Sequence, residues 1–195
     1  MDPDLPLIQA LQAGDDSALN ELIQRHREPL FRFAFRFLRD ETAARDIVQE
    51  TFVLIYFKAA RFVPRSTVKT WFYAIALNLC RDQARFRKRR RGDVSLDASA
   101  TEDRPKLEPA DSRPVPSEQA AEADRFGRLQ DAMDRLPHKL KSALILCSLE
   151  GMSHQEAAEI LATTSKTIEL RIYHAKEKMR ALLSGKFSLE ERRRA

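Results

Sequence analysis

The sequence predicts an all-α protein made of two small helical domains joined by a flexible acidic linker, and three observations carry that reading. Apolar residues recur at helical spacing over most of the 195 residues, and no alternating β pattern persists. Glycine is scarce, with five in the chain, so helices can run on until a proline or one of those few glycines stops them. From Gly92 to Pro116 the composition shifts to Pro, Asp, Glu, Ser and Ala with almost no large apolar group. Such a stretch buries too little surface to offset the entropy of ordering it.

Charge follows the same division. Residues 1–91 carry 17 Lys and Arg against 11 Asp and Glu, residues 92–124 carry 3 against 9, and residues 125–195 carry 14 against 9. Two basic blocks around an acidic connector outline a protein that grips nucleic acid at two places. Cys80 and Cys147 each lie inside an apolar helical pattern, as buried thiols in a reducing compartment do. No apolar run approaches bilayer length, and the N-terminus lacks a basic region followed by a hydrophobic one. The expectation is a soluble, non-secreted chain.

A short helix is expected over residues 4–13, ending at Gly14. Asp15 or Asp16 can cap the next helix, which buries Leu19, Leu22, Ile23, Leu30, Phe33, Ala34 and Phe37. Pro29 lacks a backbone donor, so a kink or break is expected near Arg27. Asp40 caps a helix from Glu41 to about Ala60, a loop follows over Arg61 to Thr67, and a last helix of this half runs from about Thr67 to Arg90. The second half reads as four helical segments, with stops at Pro137 and Gly151 and caps at Ser153 and Ser165. A short capped helix, the turn ATT and a second capped helix make a helix-turn-helix pattern, with Ala157, Ile160, Leu161, Ile168 and Ile172 as its small core.

Two helices in the first half carry more than a core face. Val48, Phe52, Ile55 and Ala59 fall on one side of the Glu41–Ala60 helix. Asp46, Gln49, Glu50, Val53 and Phe57 fall on another, and that mixture of acids with large apolar groups points to a partner. In the following helix, Val68, Phe72, Ile75 and Leu79 line one side, while Trp71, Asn78, Arg81 and Arg85 line a different one and lead into a cationic run. Aromatic and amide groups leading into arginines suit bases and phosphates. The last long helix would present Lys166, Thr167, Glu169, Leu170, Arg171, Tyr173, His174 and Lys176, and such motifs place its N-terminal part in a major groove.

Nothing in the sequence points to catalysis. His26, His138, His154 and His174 have no metal-ligand spacing, there is no glycine-rich phosphate loop, and no nucleophile has a matched base. No catalytic residue, metal or cofactor is expected. A recombinase or nuclease would need a catalytic serine, tyrosine or acidic cluster in the first half. A regulator that binds duplex alone would not need the acid-and-apolar face around Asp46 to Phe57.

The segments DIVQETFVLIYFKAARF and STVKTWFYAIALNLCRD resemble region 2 of the extracytoplasmic-function class of bacterial sigma factors. The segment DRLPHKLKSALILCSLEGMSHQEAAEILATTSKTIELRIYHAKEKM resembles region 4 of the same proteins. The resemblance implies region 2 over 1–91, a linker over 92–116, region 4 over 117–184 and a charged tail over 185–195. It implies that Asp46, Gln49, Glu50, Val53 and Phe57 dock on the clamp helices of the polymerase β′ subunit. It further implies that the loop Phe62 to Lys69, with Arg65, Ser66 and Thr67, captures an extruded base of the minus-ten element together with Trp71 and Asn78, while Arg81 and Arg85 hold the backbone. Ser165, Lys166, Thr167, Glu169, Leu170, Arg171, Tyr173, His174 and Lys176 match positions that read or flank the minus-thirty-five element.

The partners implied are RNA polymerase core, through the β′ clamp helices and the β flap, promoter DNA and an anti-sigma protein, all in a bacterial cytoplasm. The resemblance brings departures as well. Ala162 stands where a glycine is common, which argues for a changed turn. Glu169 and Leu170 replace a basic and a small polar residue, and an acid there cannot contact phosphate but can accept from a cytosine amino group.

Overall fold

The computed structural model describes residues 2–94 and 117–184, and among these no strand occurs. The remainder of the expected linker and the tail at 185–195 lie outside the described residues. The order is α1 (Leu5–Gln12), α2 (Ser17–Leu38), α3 (Glu41–Ala59), α4 (Val68–Val94), α5 (Ser117–Asp134), α6 (His138–Leu144), a π-helical turn (Ile145–Leu149), α7 (His154–Ile160) and α8 (Ser165–Leu183).

The first four helices pack as a bundle in which α2 lies along α3, and α4 crosses both. Their starts follow the hydrogen-bonding residues. Asp40 accepts from the Ala43 amide at 2.8 Å, and that bond holds its carboxyl below the usual range, assisted by Arg87 at 2.6 Å. The start of α2 is held by Asp15, whose Oδ1 accepts from the Ser17 amide at 3.0 Å. At α4 the Thr67 hydroxyl accepts from the Thr70 amide at 3.1 Å, and Asp2, from the far N-terminus, accepts from the Val68 amide at 2.6 Å. Gly14, at φ +92°, ends the α1 turn in a conformation that a side chain would strain.

Two expectations change here. Pro29 does not break α2, which continues from Ser17 to Leu38. Leu22, Leu30 and Phe33 are fully buried on either side of the proline, so packing outweighs the one backbone bond it forgoes. Helix α4 also runs to Val94, three residues into the stretch expected as linker.

In the second half α5 and α6 pack on α8, and α7 crosses α8 as the helix-turn-helix. Ser153 and Glu156 form a full capping box: the Glu156 amide donates to the Ser153 hydroxyl at 3.2 Å and the Ser153 amide to Glu156 Oε2 at 2.9 Å. The cap of α8 is Thr164, whose hydroxyl accepts from the Thr167 amide at 3.2 Å, and Ser165 is already helical. Ala162 takes φ +47°, so the left-handed turn favoured by glycine is kept despite the methyl group. Ala157, Ile160, Leu161, Ile168 and Ile172 are all buried, as the pattern required.

The halves do not stand apart. Buried residues from α2 and α4 and from α6, α7 and α8 belong to one continuous apolar core, with α7 lying against α4.

Candidate nucleic-acid interface

Helix α3 separates its two faces cleanly. Val48, Phe52, Ile55 and Ala59 are buried, whereas Asp46, Gln49 and Glu50 are exposed, Val53 is 52% exposed and Phe57 73%. An apolar phenyl left in water on a helix whose other side is core costs free energy that a partner would recover. The exposed face overlooks a groove of about 790 Å³ between α2 and α3, walled by Leu19, Ile23, Phe31, Val53, Tyr56 and Phe57 and rimmed by Arg27, Glu28 and Arg45.

The loop after α3 is built on aromatic contacts. Phe62 stacks on Trp71 with ring centroids 4.6 Å apart, and Trp71 in turn meets Phe72 of the core at 5.6 Å. Gln12 ties the loop base down by donating to the Ala59 and Phe62 carbonyls at 2.9 and 3.0 Å. Arg65 is exposed and Ser66 half-buried, while Thr67 is engaged with the start of α4. Lys69 lies 5.9 Å from the centre of the Tyr73 ring. Farther along α4, Asn78 and Arg85 are exposed and Arg81 is half-buried. Burial lowers the Arg81 pKa, and the nearby charges of Arg85 and Arg171 add to the effect.

On α8, Ser165, Lys166, Glu169, Leu170, Tyr173, His174 and Lys176 are exposed, with Tyr173 and His174 ring to ring at 5.5 Å. Thr167 and Arg171 are half-buried. The Thr167 hydroxyl is 2.9 Å from that of Thr164, so this residue serves the cap, and Arg171 leans toward the first half. Sequence reasoning missed Asp2 and Gln12, which anchor the loop and α4 from the N-terminus. Contacts of such sequence separation leave no local pattern.

Basic, aromatic and amide groups thus gather on two helical surfaces, one at α4 and its preceding loop and one on a helix-turn-helix, with a separate apolar groove beside the first. That is the arrangement of a regulatory DNA-binding subunit. A profile of Sigma-70 region 2 matches residues 22–91 and one of Sigma-70 region 4 matches residues 126–179. The chain belongs to the sigma-70 family, in its extracytoplasmic-function class, and acts in promoter-specific transcription initiation.

Among its relatives, the RNA polymerase sigma factor NccH of Alcaligenes xylosoxydans xylosoxydans is 32% identical over 182 residues, covering 93% of this chain and 95% of that one. The ECF RNA polymerase sigma factor SigE of Mycolicibacterium smegmatis is 31% identical over 175 residues; the match takes in 88% of this chain but only 65% of that relative's length. The structure is similar to that of CnrH in complex with the cytosolic domain of CnrY, with a TM-score of 0.69 at 27% identity over 93% of this chain and 97% of that one.

Proposed function

We propose that this chain binds RNA polymerase core and leads it to a set of promoters, with residues 1–91 opening the duplex at the minus-ten element and residues 117–184 reading the minus-thirty-five element. The groove beside α3, apolar at Val53, Tyr56 and Phe57 and flanked by Asp46, Gln49 and Glu50, supports docking on the β′ clamp helices, and it is the observation that carries the reading. A second apolar groove, walled by Leu129, Met133, Leu144, Leu149, Met179 and Leu183, fits the β flap.

The loop from Phe62 to Lys69, with Trp71 and Asn78, receives the extruded base, whose unstacking is offset by contacts made only to the flipped state. Arg81 and Arg85 hold the adjoining phosphates. On α8, Lys166, Glu169, Leu170 and Arg171 reach base edges, with Ser165, Tyr173, His174 and Lys176 beside them. Thr167 acts through the cap that orients the first turn. The polymerase supplies the chemistry and this chain supplies specificity and strand opening. No described helix is long and apolar enough to cross a membrane. The working location is the bacterial cytoplasm, where core polymerase is found. An anti-sigma protein is the expected regulator, in line with the relative CnrH, which was solved with the cytosolic domain of CnrY.

The test is run-off transcription with purified bacterial core on genomic fragments, with and without this protein. Initiation at discrete sites only when it is added is the expected result. No initiation and no co-migration with core would overturn the reading.

A further inference from the structure

The loop to which the proposed function assigns base capture is fastened at both ends from one short stretch, residues 2–12, that contributes none of the assigned DNA contacts. At the near end, Gln12 closes α1 and donates from its side-chain amide to the Ala59 carbonyl at 2.9 Å and to the Phe62 carbonyl at 3.0 Å. The Ala59 carbonyl belongs to the last turn of α3, where carbonyls have no partner within the helix. At the far end, Asp2 Oδ2 accepts from the Val68 amide at 2.6 Å, while its Oδ1 accepts from the Asp4 amide at 3.0 Å. Val68 opens α4, whose first turn carries no acid of its own. A carboxylate from 66 positions earlier therefore supplies both the missing acceptor and the negative charge that a helix N-terminus favours.

This stretch is itself firmly held. Ile8 is fully buried in the main core, and Leu11 packs with Ala18 and with Ala59 at the end of α3. Asp4, whose side chain is 8% exposed, accepts from Arg25 at 2.9 Å and has its Oδ2 2.7 Å from His26 Nε2. The His26 ring in turn meets Phe72 of α4 edge-on, with centroids 5.0 Å apart. Apolar burial and a buried carboxylate thus tie α1 to α2, α3 and α4 together.

The eight residues of α1 rise about 12 Å at 1.5 Å each, whereas the eight residues from Ala60 to Thr67 could stretch over about 26 Å. Anchors that close make the loop bow outward, and Val63 and Arg65 at its middle are exposed. The same fastenings set the aromatic pair. Phe62 is held through its carbonyl by Gln12 and through its ring by Trp71, whose own amide donates to the Thr67 carbonyl at 3.0 Å, next to the Val68 amide that Asp2 holds. A loop ordered before the base arrives does not have to be ordered by it, so less of the capture energy is lost to entropy.

We propose that Asp2 and Gln12 are positioning residues for strand opening: through α1 they hold the two ends of the Phe62–Lys69 loop at the spacing at which it takes the extruded base, and they touch neither base nor phosphate themselves. This rests on the assignment of that loop to the minus-ten strand.

The experiment compares Gln12→Ala, Asp2→Ala and Asp2→Asn in the full-length protein, with Leu136→Val, a trimming of the core in the second half, as the control for general loss of stability. Anisotropy reads binding of a labelled single strand, taken from the minus-ten segment of a promoter mapped by run-off, to each protein bound to core polymerase. Titration reads affinity for core. Acrylamide quenching of Trp71, the one tryptophan of the chain, reads the seating of the loop in the free protein without DNA. Gln12→Ala and Asp2→Ala should each weaken strand binding about tenfold, which is about 1.4 kcal/mol and the size of one or two hydrogen bonds, with core affinity unchanged and Trp71 more accessible to quencher. Asp2→Asn keeps an acceptor for the Val68 amide and should stay within about threefold of wild type. Charge alone predicts the opposite sign, because removing an acid near an anionic strand strengthens binding in both Asp2 variants. Strand affinity within about twofold of wild type for Gln12→Ala and Asp2→Ala, tighter binding by Asp2→Ala, or an equal loss in Leu136→Val overturns the proposal. If Gln12→Ala loses helix content by circular dichroism, the two Asp2 variants decide alone. A wild-type protein that initiates with core but does not bind the strand would instead reject the loop assignment, while Trp71 quenching still reports whether Asp2 and Gln12 seat the loop.

Discussion

Replacing Phe57 by alanine should separate binding from folding. Its side chain is 73% exposed, so the folded monomer loses little when it is shortened. A phenylalanine presents about 200 Å² that a partner can cover, and the exposed fraction here leaves about 150 Å² for an incoming helix. At about 25 cal/mol per Å², covering it contributes about 3–4 kcal/mol, and alanine would keep close to a third of that. The loss is therefore about 2 kcal/mol, or roughly 30-fold in the dissociation constant for core polymerase. Fluorescence titration of labelled protein with core measures it, with the thermal midpoint as the control for folding. Phe52→Ala, at a residue 6% exposed and packed in the core at the floor of the same groove, should instead cost about 3–5 kcal/mol of stability. A change under threefold in core affinity for Phe57→Ala would refute the assignment of this face.

Arg171→Ala should weaken binding to duplex carrying the upstream element and leave the affinity for core unchanged; equal loss of both in gel-shift and titration experiments would contradict the division of labour between the halves. Ser153→Ala removes one side of the capping box and should lower stability by about 1 kcal/mol, a fall of about 2–4 °C in the thermal midpoint by calorimetry. Asp40 and Glu156 both have depressed pKa values in the folded chain, so the stability they contribute is present above the ordinary carboxyl range and is lost as pH falls through their lower folded values. Urea unfolding at a series of pH values below about 4.5 should show that decline, and Asp40→Asn, which keeps a capping oxygen, should make it shallower.

Features with a local cause were legible in the sequence. The two faces of α3 follow from helical spacing, and Asp40, Ser153 and Gly151 mark helix ends because their hydrogen bonds or positive φ are demanded within a turn or two. Features settled by competition between near-equal choices were not. Thr164 and Ser165 both offer a hydroxyl, and the cap falls to Thr164, whose extended backbone aims its oxygen at the Thr167 amide. Pro29 reads locally as a breaker, yet the burial of Leu30 and Phe33 just after it keeps the helix whole. Ala162 reads as a departure from glycine, yet the bonds of α7 and α8 on either side hold it left-handed at modest cost.

The contact between the halves was least legible, because a charge count sees Arg36 and Glu150 as two unrelated surface charges 114 positions apart. Their burial also changes the meaning of the net charge. Part of the cationic excess of residues 1–91 is spent internally, on Glu150 through Arg36 and on Asp131 and Asp134 through Arg39, and is not offered to DNA in this arrangement. Arg81 on α4, by contrast, lies near the like charges of Arg85 and Arg171, and Arg85 pairs with Asp82 of its own helix at 3.1 Å. A count of charge by segment therefore overstates what the first half offers to phosphate, by the cations that the second half already holds.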